Sequence, residues 1–107
     1  MISTHILDTS LGCPASDVIV KLEKKIHDSW IVLFTEKTNA DGRISFNCQA
    51  DKGVYRLEFQ IDEYFKKNKI TPFFICAPVT FEISDIGRKY HIPLLLNPYG
   101  YSTYRGS

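Results

Sequence analysis

Two histidines and one arginine are the side chains of this sequence with the clearest capacity for chemistry. His5 and His91 each lie in a strand-like run with apolar neighbours, and Arg43 follows an Asp-Gly turn. A neutral imidazole can take a proton from water, while a guanidinium can hold the negative charge that develops on a substrate oxygen. Together they would suit hydrolysis of an activated amide without a metal or a covalent intermediate. Sequence spacing does not show whether they meet in space.

Each of these residues also has a purely structural interpretation. A strand histidine is usually a hydrogen-bonded structural residue, Arg43 would serve equally as a surface charge, and His27 lies among charges in a hairpin turn. No His/Cys spacing is typical of a zinc site, so we expect no metal and no cofactor. Three cysteines without a C-x-x-C pair favour free thiols over a disulfide framework, and they are Cys13, Cys48 and Cys76.

Length and composition predict a single domain, residues 1–107. The chain is 44% hydrophobic and 23% charged, with a formal net charge of +1. A basic cluster is missing, so a nucleic-acid partner is not expected. No run approaches the roughly 18 apolar residues of a membrane span, and the N-terminal residues lack the features of a signal peptide, so we predict a cytoplasmic protein with no membrane partner.

Strand signals dominate the chain. Alternating apolar positions and runs of β-branched or aromatic residues predict about eight short strands. The predicted strands cover residues 2–8, 17–25, 29–37, 43–46, 53–60, 73–83, 90–96 and 101–107. Residues 61–69 are the single helical candidate, because Ile61, Tyr64 and Phe65 recur at helical spacing between acidic residues at the start and lysines at the end. The pattern is typical of a mainly β protein, a two-sheet β-sandwich with one short helix.

The segment HIPLLLNPYGYSTYRGS, residues 91–107, is dense in tyrosine. The pattern of this segment predicts two strands joined by a turn at 97–100. Pro78 and Pro93 lack an amide hydrogen, so each is expected on an edge or at a break in strand pairing. Strict alternation would put Tyr104 and Ser107 on opposite faces, so the last residues should leave regular strand geometry to converge on one pocket.

Three segments of the chain carry a family resemblance: THILDTSLGCPA at 4–15, TNADGRI at 38–44 and the segment at 91–107. They resemble the 5-hydroxyisourate hydrolases, the enzymic branch of the transthyretin-like family. The terminal Tyr-Arg-Gly-Ser separates these enzymes from transthyretin, the hormone carrier with the same fold. The resemblance implies a transthyretin-like (prealbumin-like) sandwich and hydrolysis of 5-hydroxyisourate to 2-oxo-4-hydroxy-4-carboxy-5-ureidoimidazoline in urate (purine) catabolism. It also implies a homotetramer with sites at the dimer–dimer interface.

The same resemblance assigns site residues. The implied catalytic residues are His5, Arg43, His91 and Ser107, and the implied substrate-binding residues are His5, Arg43, Tyr104, Arg105 and Gly106. One histidine would deprotonate water while Arg43 and the other imidazole polarise the carbonyl, and Ser107 would orient the water or its histidine. The sequence does not decide which histidine is the base. Cys13 stands where relatives often carry a basic or polar residue, and we attach no change of activity to it.

Two other interpretations stay open. One is a transthyretin-like carrier of a small ligand with no catalytic activity, and the other is a structural sandwich that assembles through its aromatic edge strand. Retention of His5, Arg43 and His91 together with the terminal tetrapeptide favours the enzyme over the carrier. The polar character of the terminal tetrapeptide argues against a segment that serves only to join copies of the protein.

Overall fold

The computed structural model describes residues 1–107 as a two-sheet β-sandwich with one short helix. The elements are β1 (Ile2–Asp8), β2 (Cys13–Pro14), β3 (Ile19–Ile26), β4 (Ser29–Lys37), β5 (Arg43–Phe46), β6 (Gly53–Gln60), α1 (Ile61–Lys67), β7 (Ala77–Ile83), β8 (Tyr90–Asn97) and β9 (Gly100–Thr103). The prediction of a mainly β sandwich with one helix is confirmed. The helix has seven residues, and the chain has no helix long and apolar enough to cross a membrane.

The strands form two sheets, here called sheet A and sheet B. Sheet A has the order β2-β1-β8-β9, with β5 also paired with β1, and sheet B has the order β4-β3-β6-β7. The β1–β8 pair is parallel, whereas every other pair is antiparallel. That parallel pair joins residues from opposite ends of the sequence, so it determines which distant side chains become neighbours.

Alternation along the strands separates the core from the outer face of each sheet. In β6, Tyr55, Leu57 and Phe59 are buried, as the sequence pattern predicts. Strand β1 likewise turns its even-numbered residues into the core and leaves its odd-numbered ones half-buried on the outer face of sheet A. The same rule buries Ile92 and leaves its neighbour His91 half-buried on that outer face.

The helix follows β6 without a break and packs on the core with the face that the sequence predicts. Its buried residues are Ile61, Tyr64 and Phe65. The Tyr64 hydroxyl donates a hydrogen bond of 2.7 Å to Asp8 Oδ2, and Asp8 is only 1% exposed. The other carboxylate oxygen of Asp8 accepts hydrogen bonds from the Ser10 amide and hydroxyl and from the Leu11 amide. This buried carboxylate therefore ties the end of β1 to the helix.

Three predicted elements differ most from the structure. The predicted strand 73–83 begins only at Ala77, because backbone groups before it pair with other segments: the Phe73 amide donates to Pro98, and the Ile75 carbonyl accepts from the helix. The predicted strand 101–107 ends at Thr103. The loop after β1 contains a two-residue strand, β2, which was predicted as part of a turn, so the sandwich has nine strands where about eight were predicted.

Pro78 and Pro93 both lie at an edge or a break in strand pairing, as expected of residues that lack an amide hydrogen. Pro78 lies in β7, which is an edge strand of sheet B. Pro93 lies in β8 just beyond the Leu94–Thr103 pair, where the β8–β9 ladder stops. The terminal residues consequently separate from β8 at Pro93 before they return to it.

Candidate active site

Strand pairing in sheet A brings His5, Arg43 and His91 onto one surface. His5 in β1 lies opposite Arg43 in β5, and His91 in β8 lies beside Ser3, two residues before His5 in β1. Paired residues on neighbouring strands have Cβ atoms about 4.5–5.5 Å apart and share a face of the sheet. The outer face of sheet A thus holds two imidazoles and a guanidinium side by side.

A tight turn fixes the start of β5 and with it Arg43. The side-chain oxygen of Asn39 accepts hydrogen bonds from the amides of Asp41 and Arg43, at 2.9 and 3.0 Å. Gly42 has a positive φ of +72°, and a Cβ built there would lie 2.6 Å from the carbonyl oxygen of Ile6. Only glycine fits this position without strain. The Asp-Gly-Arg motif therefore holds Arg43 opposite His5.

The His91 imidazole is held on two sides. Its Nδ1 atom lies 2.8 Å from the Ser3 hydroxyl. On the other side the Gly106 amide donates to the His91 carbonyl at 2.8 Å, and a Cβ on Gly106 would lie 2.5 Å from His91 Cδ2. The terminal segment therefore passes in contact with the ring, and only a residue without a side chain fits there.

The surroundings of His91 favour its neutral form. Burial lowers its pKa below the ordinary value of 6.5, and the positive charges of Arg43 and His5 lower this pKa further. At neutral pH the ring is therefore mostly unprotonated, which is the form that can accept a proton from water.

The residues of the terminal tetrapeptide have different surroundings. The Thr103 hydroxyl donates to the Pro93 carbonyl at 2.7 Å, and the chain leaves regular strand geometry after Thr103, as predicted. Tyr104 is 57% exposed, and Ser107 is exposed one residue beyond the Gly106–His91 contact. The Arg105 guanidinium carbon lies 4.7 Å from the centre of the Tyr90 ring.

Two depressions flank His91. One, of about 330 Å³, is lined mainly by polar residues, with Arg43 and His91 together with Ser3, Asn39 and Ser45. The other, of about 230 Å³, lies among residues of β7, β8 and the terminal segment and is lined mainly by aromatic and apolar residues with Tyr104 and Arg105.

The structure therefore brings His5, Arg43, His91 and Gly106 together. It directs Arg105 toward Tyr90 instead, on the side of the second depression. The substrate-binding roles of Tyr104 and Arg105 and the catalytic role of Ser107 stay predictions, as do the roles of the other site residues.

The side chains at the site do not form a metal-binding set. No group of three or more His, Cys, Asp or Glu residues lies close enough to share a metal ion. A catalytic zinc takes three protein ligands, and this surface offers two imidazoles. Hydrogen-bond donors dominate instead, and a guanidinium fork is suited to a planar molecule rich in acceptor atoms.

Sequence reasoning missed Ser3 as a neighbour of the site. Its position two residues before His5 was the available signal, since residues i and i+2 of a strand share one face. The contact itself depends on the pairing of β1 with β8, which places Ser3 next to a residue 88 positions away.

The fold and this surface together define a small β-sandwich protein with an imidazole and guanidinium site on the face of one sheet. The chain belongs to the HIUase/Transthyretin family, whose family model matches residues 2–106. The predicted family and transthyretin-like fold are thereby confirmed.

Related proteins match this chain over all or nearly all of its length. The 5-hydroxyisourate hydrolase of Salmonella typhimurium is 46% identical over 110 residues, covering 100% of this chain and 81% of that protein. The solved structure of Klebsiella pneumoniae 5-hydroxyisourate hydrolase has a TM-score of 0.87 at 37% identity and covers 99% of this chain and 98% of its own. Sea bream transthyretin in complex with thyroxine has a TM-score of 0.92 at 34% identity, and the match covers 98% of this chain and 93% of the transthyretin chain. The backbone alone therefore does not separate hydrolase from carrier.

Proposed function

We propose that this chain is an enzyme that hydrolyses 5-hydroxyisourate to 2-oxo-4-hydroxy-4-carboxy-5-ureidoimidazoline, a step of urate breakdown. The observation that carries the proposal is the hydrogen-bonded His91 beside His5 and Arg43 on one face of sheet A. The relatives support it, because proteins matched over 100% and 99% of this chain, at 46% and 42% identity, are named 5-hydroxyisourate hydrolases.

The geometry favours His91 as the base. Its ring is fixed by Ser3 and Gly106, and its lowered pKa keeps it unprotonated, so it can accept a proton from the attacking water. The water oxygen bonds to the amide carbon and the ring C–N bond breaks. Arg43 holds the negative charge that develops on the carbonyl oxygen. His5, which lies opposite Arg43, supplies a proton to the leaving nitrogen.

The carrier is the alternative function. A carrier binds its ligand unchanged, so it has no use for an unprotonated imidazole fixed beside a guanidinium. A ligand held only by burial would use the depression lined by Tyr90 and Ile92 rather than the one at Arg43 and His91, whose lining residues are mostly polar. The composition of the depression at Arg43 and His91 therefore supports the hydrolase.

We further propose that the protein is a cytoplasmic homotetramer whose sites lie where two dimers meet. The site is open on the outer face of sheet A, and a second copy over that face would exclude water from it. Leu11 and Tyr99 are 60% and 74% exposed at the end of the same sheet, where an apolar contact would bury them. Light scattering after size exclusion should give the mass of four chains, and fractionated cells should show the protein in the cytoplasm.

One assay tests the activity and the site. 5-Hydroxyisourate is generated in situ with a urate oxidase, and its decay is followed by ultraviolet absorbance with and without the protein. We expect rapid decay with the wild type and large losses in His5→Ala, Arg43→Ala and His91→Ala. His27→Asn is the matched control, because His27 lies in the β3–β4 turn with a positive φ that asparagine tolerates. A wild type that does not accelerate decay removes the hydrolase proposal, and full activity in all three alanine variants removes the site.

A further inference from the structure

The hydroxyl of Ser3 is 2.8 Å from His91 Nδ1 and is the one side-chain group hydrogen-bonded to that ring. We propose that Ser3 is a positioning residue: it accepts the Nδ1 hydrogen of His91 and so leaves Nε2 unprotonated to act as the base. This assignment rests on the proposed hydrolysis and goes beyond it, because it specifies the tautomer of the base and the residue that selects it.

The backbone fixes the two partners before any side-chain contact forms. Ser3 and His91 are paired in the parallel β1–β8 ladder, which runs without a break from Ile2–Tyr90 to Asp8–Leu96. Both side chains are half-buried on the outer face of sheet A. Serine has one short side-chain torsion, so little rotamer entropy is lost when the hydroxyl meets the ring.

The terminal segment closes the other side of the ring. Gly106 is so near that an added Cβ would lie 2.5 Å from Cδ2 and 3.2 Å from Cγ of His91. The ring consequently has little room to turn away from Ser3, and its nitrogen atoms keep distinct surroundings. A half-turn of the ring would exchange Nδ1 for a carbon and lose the hydrogen bond.

The direction of this hydrogen bond decides what His91 can do. A serine hydroxyl is both donor and acceptor, and a neutral imidazole carries its single proton on one nitrogen. If Ser3 donated to Nδ1, the proton would reside on Nε2 and the ring could not accept another there. If Ser3 accepts from Nδ1, the Nε2 lone pair is available. After Nε2 takes the water proton, the bond to Ser3 becomes charge-assisted and stronger.

The charged groups around the His91 ring make it useful that Ser3 stabilises the imidazolium form. Arg43 from β5 and His5 from β1 both oppose the imidazolium form. Glu82 from β7 and Arg105 from the terminal segment line the depression on the far side of the ring. Ser3 offsets part of the repulsion from Arg43 and His5 without adding a charge that would attract a proton before the reaction begins.

Enzyme kinetics test the proposal with matched variants. In Ser3→Ala we expect kcat to fall about tenfold with little change in KM, since Ser3 acts on the base and not on substrate binding. The acidic limb of kcat/KM should move to lower pH, because an acceptor that stabilises imidazolium has been removed. Ser3→Thr retains a hydroxyl and should restore most of the rate. Ser29→Ala, which removes an exposed strand hydroxyl from sheet B, should match the wild type.

Nuclear magnetic resonance tests it without substrate. Long-range proton–nitrogen correlation of the histidine rings should show the Nδ1–H tautomer for His91 in the wild type, and the more common Nε2–H form should gain population in Ser3→Ala. This measurement needs only the folded wild type, so it remains decisive if Ser3→Ala fails to fold.

The outcomes separate the two proposals. An Nε2–H tautomer in the wild type overturns the role of Ser3, as does an acidic limb that moves to higher pH or an unchanged kcat in Ser3→Ala. The Nδ1–H tautomer in a protein that does not hydrolyse 5-hydroxyisourate would retain the hydrogen-bond assignment and remove the proposed function.

Discussion

Replacing Gly106 by alanine tests whether contact with the terminal segment controls His91. The new Cβ would lie 2.5 Å from His91 Cδ2 and 3.2 Å from Pro93 Cγ. An ordinary contact between carbon atoms is about 3.5–4.0 Å, so the ring or the terminal segment must move by about 1 Å. Pro93 is buried and the ring is tied to Ser3, so we expect the terminal segment to be displaced and the ring to tilt.

The effect on activity follows from the size of that shift. A displacement of about 1 Å at a catalytic group can cost about 100-fold in rate. This corresponds to about 2.7 kcal/mol of transition-state stabilisation. Folding should change much less, because the substitution endangers one backbone hydrogen bond, from Gly106 to His91, worth about 1 kcal/mol.

The assay is the decay of enzymically generated 5-hydroxyisourate, combined with urea unfolding of the same samples. Gly100→Ala is the control, because Gly100 lies in the same terminal hairpin and its nearest atoms are 3.9 Å from a built Cβ. We expect Gly100→Ala to match the wild type within about threefold. Gly106→Ala with the activity of this control would refute the argument that the terminal segment positions His91.

Four further predictions follow from the same structure. kcat/KM should fall as pH drops through the lowered pKa of His91, below 6.5; a flat profile from about pH 5 to 8 would exclude His91 as the base. In the unfolded chain His91 takes up its proton at the ordinary pKa of 6.5, whereas in the folded protein its pKa is lower. The free energy of unfolding should therefore fall as the pH drops from 6.5 through the lowered pKa of folded His91, and it should fall less in His91→Asn. Tyr64→Phe should lower the free energy of unfolding by about 1–3 kcal/mol, since a buried Asp8 oxygen loses its partner, whereas Tyr99→Phe, at a residue 74% exposed, should not. Deleting Tyr104 to Ser107 removes the Gly106 contact and should abolish most activity while urea unfolding changes little; full activity would show that the segment is only structural.

Local patterns predicted the elements whose two faces differ clearly. Strand β6 has the predicted bounds, because its buried Tyr55, Leu57 and Phe59 alternate with charged and polar residues. The prediction failed at residues 73–76, where an apolar run precedes β7. Phe73 and Ile75 are 73% and 71% exposed, so apolar character alone did not indicate burial there. The backbone groups of that loop pair with the helix and with the turn after β8, which local sequence does not reveal.

The site was predictable as a set of residues but not as an arrangement. The types of His5, Arg43 and His91 and their resemblance to a family indicated the chemistry. Their proximity depends on β1 pairing with both β5 and β8. Such non-local pairing leaves no periodic signal in the sequence, which is why Ser3 was overlooked. The stacking of Arg105 on Tyr90 likewise depends on the path of the chain after the break at Pro93.

The parallel β1–β8 ladder also determines how changes in chain length would act. Side chains alternate with a period of two, so a shift of β8 by one residue along β1 would turn His91 into the core and bring Ile92 to the surface. A single-residue deletion between His91 and Asn97 should therefore destabilise the fold far more than a conservative apolar substitution there. One inserted residue in the loop at 84–89 should be tolerated, since that loop lies outside the ladder. A deletion and insertion scan would map these constraints, which a substitution scan cannot detect.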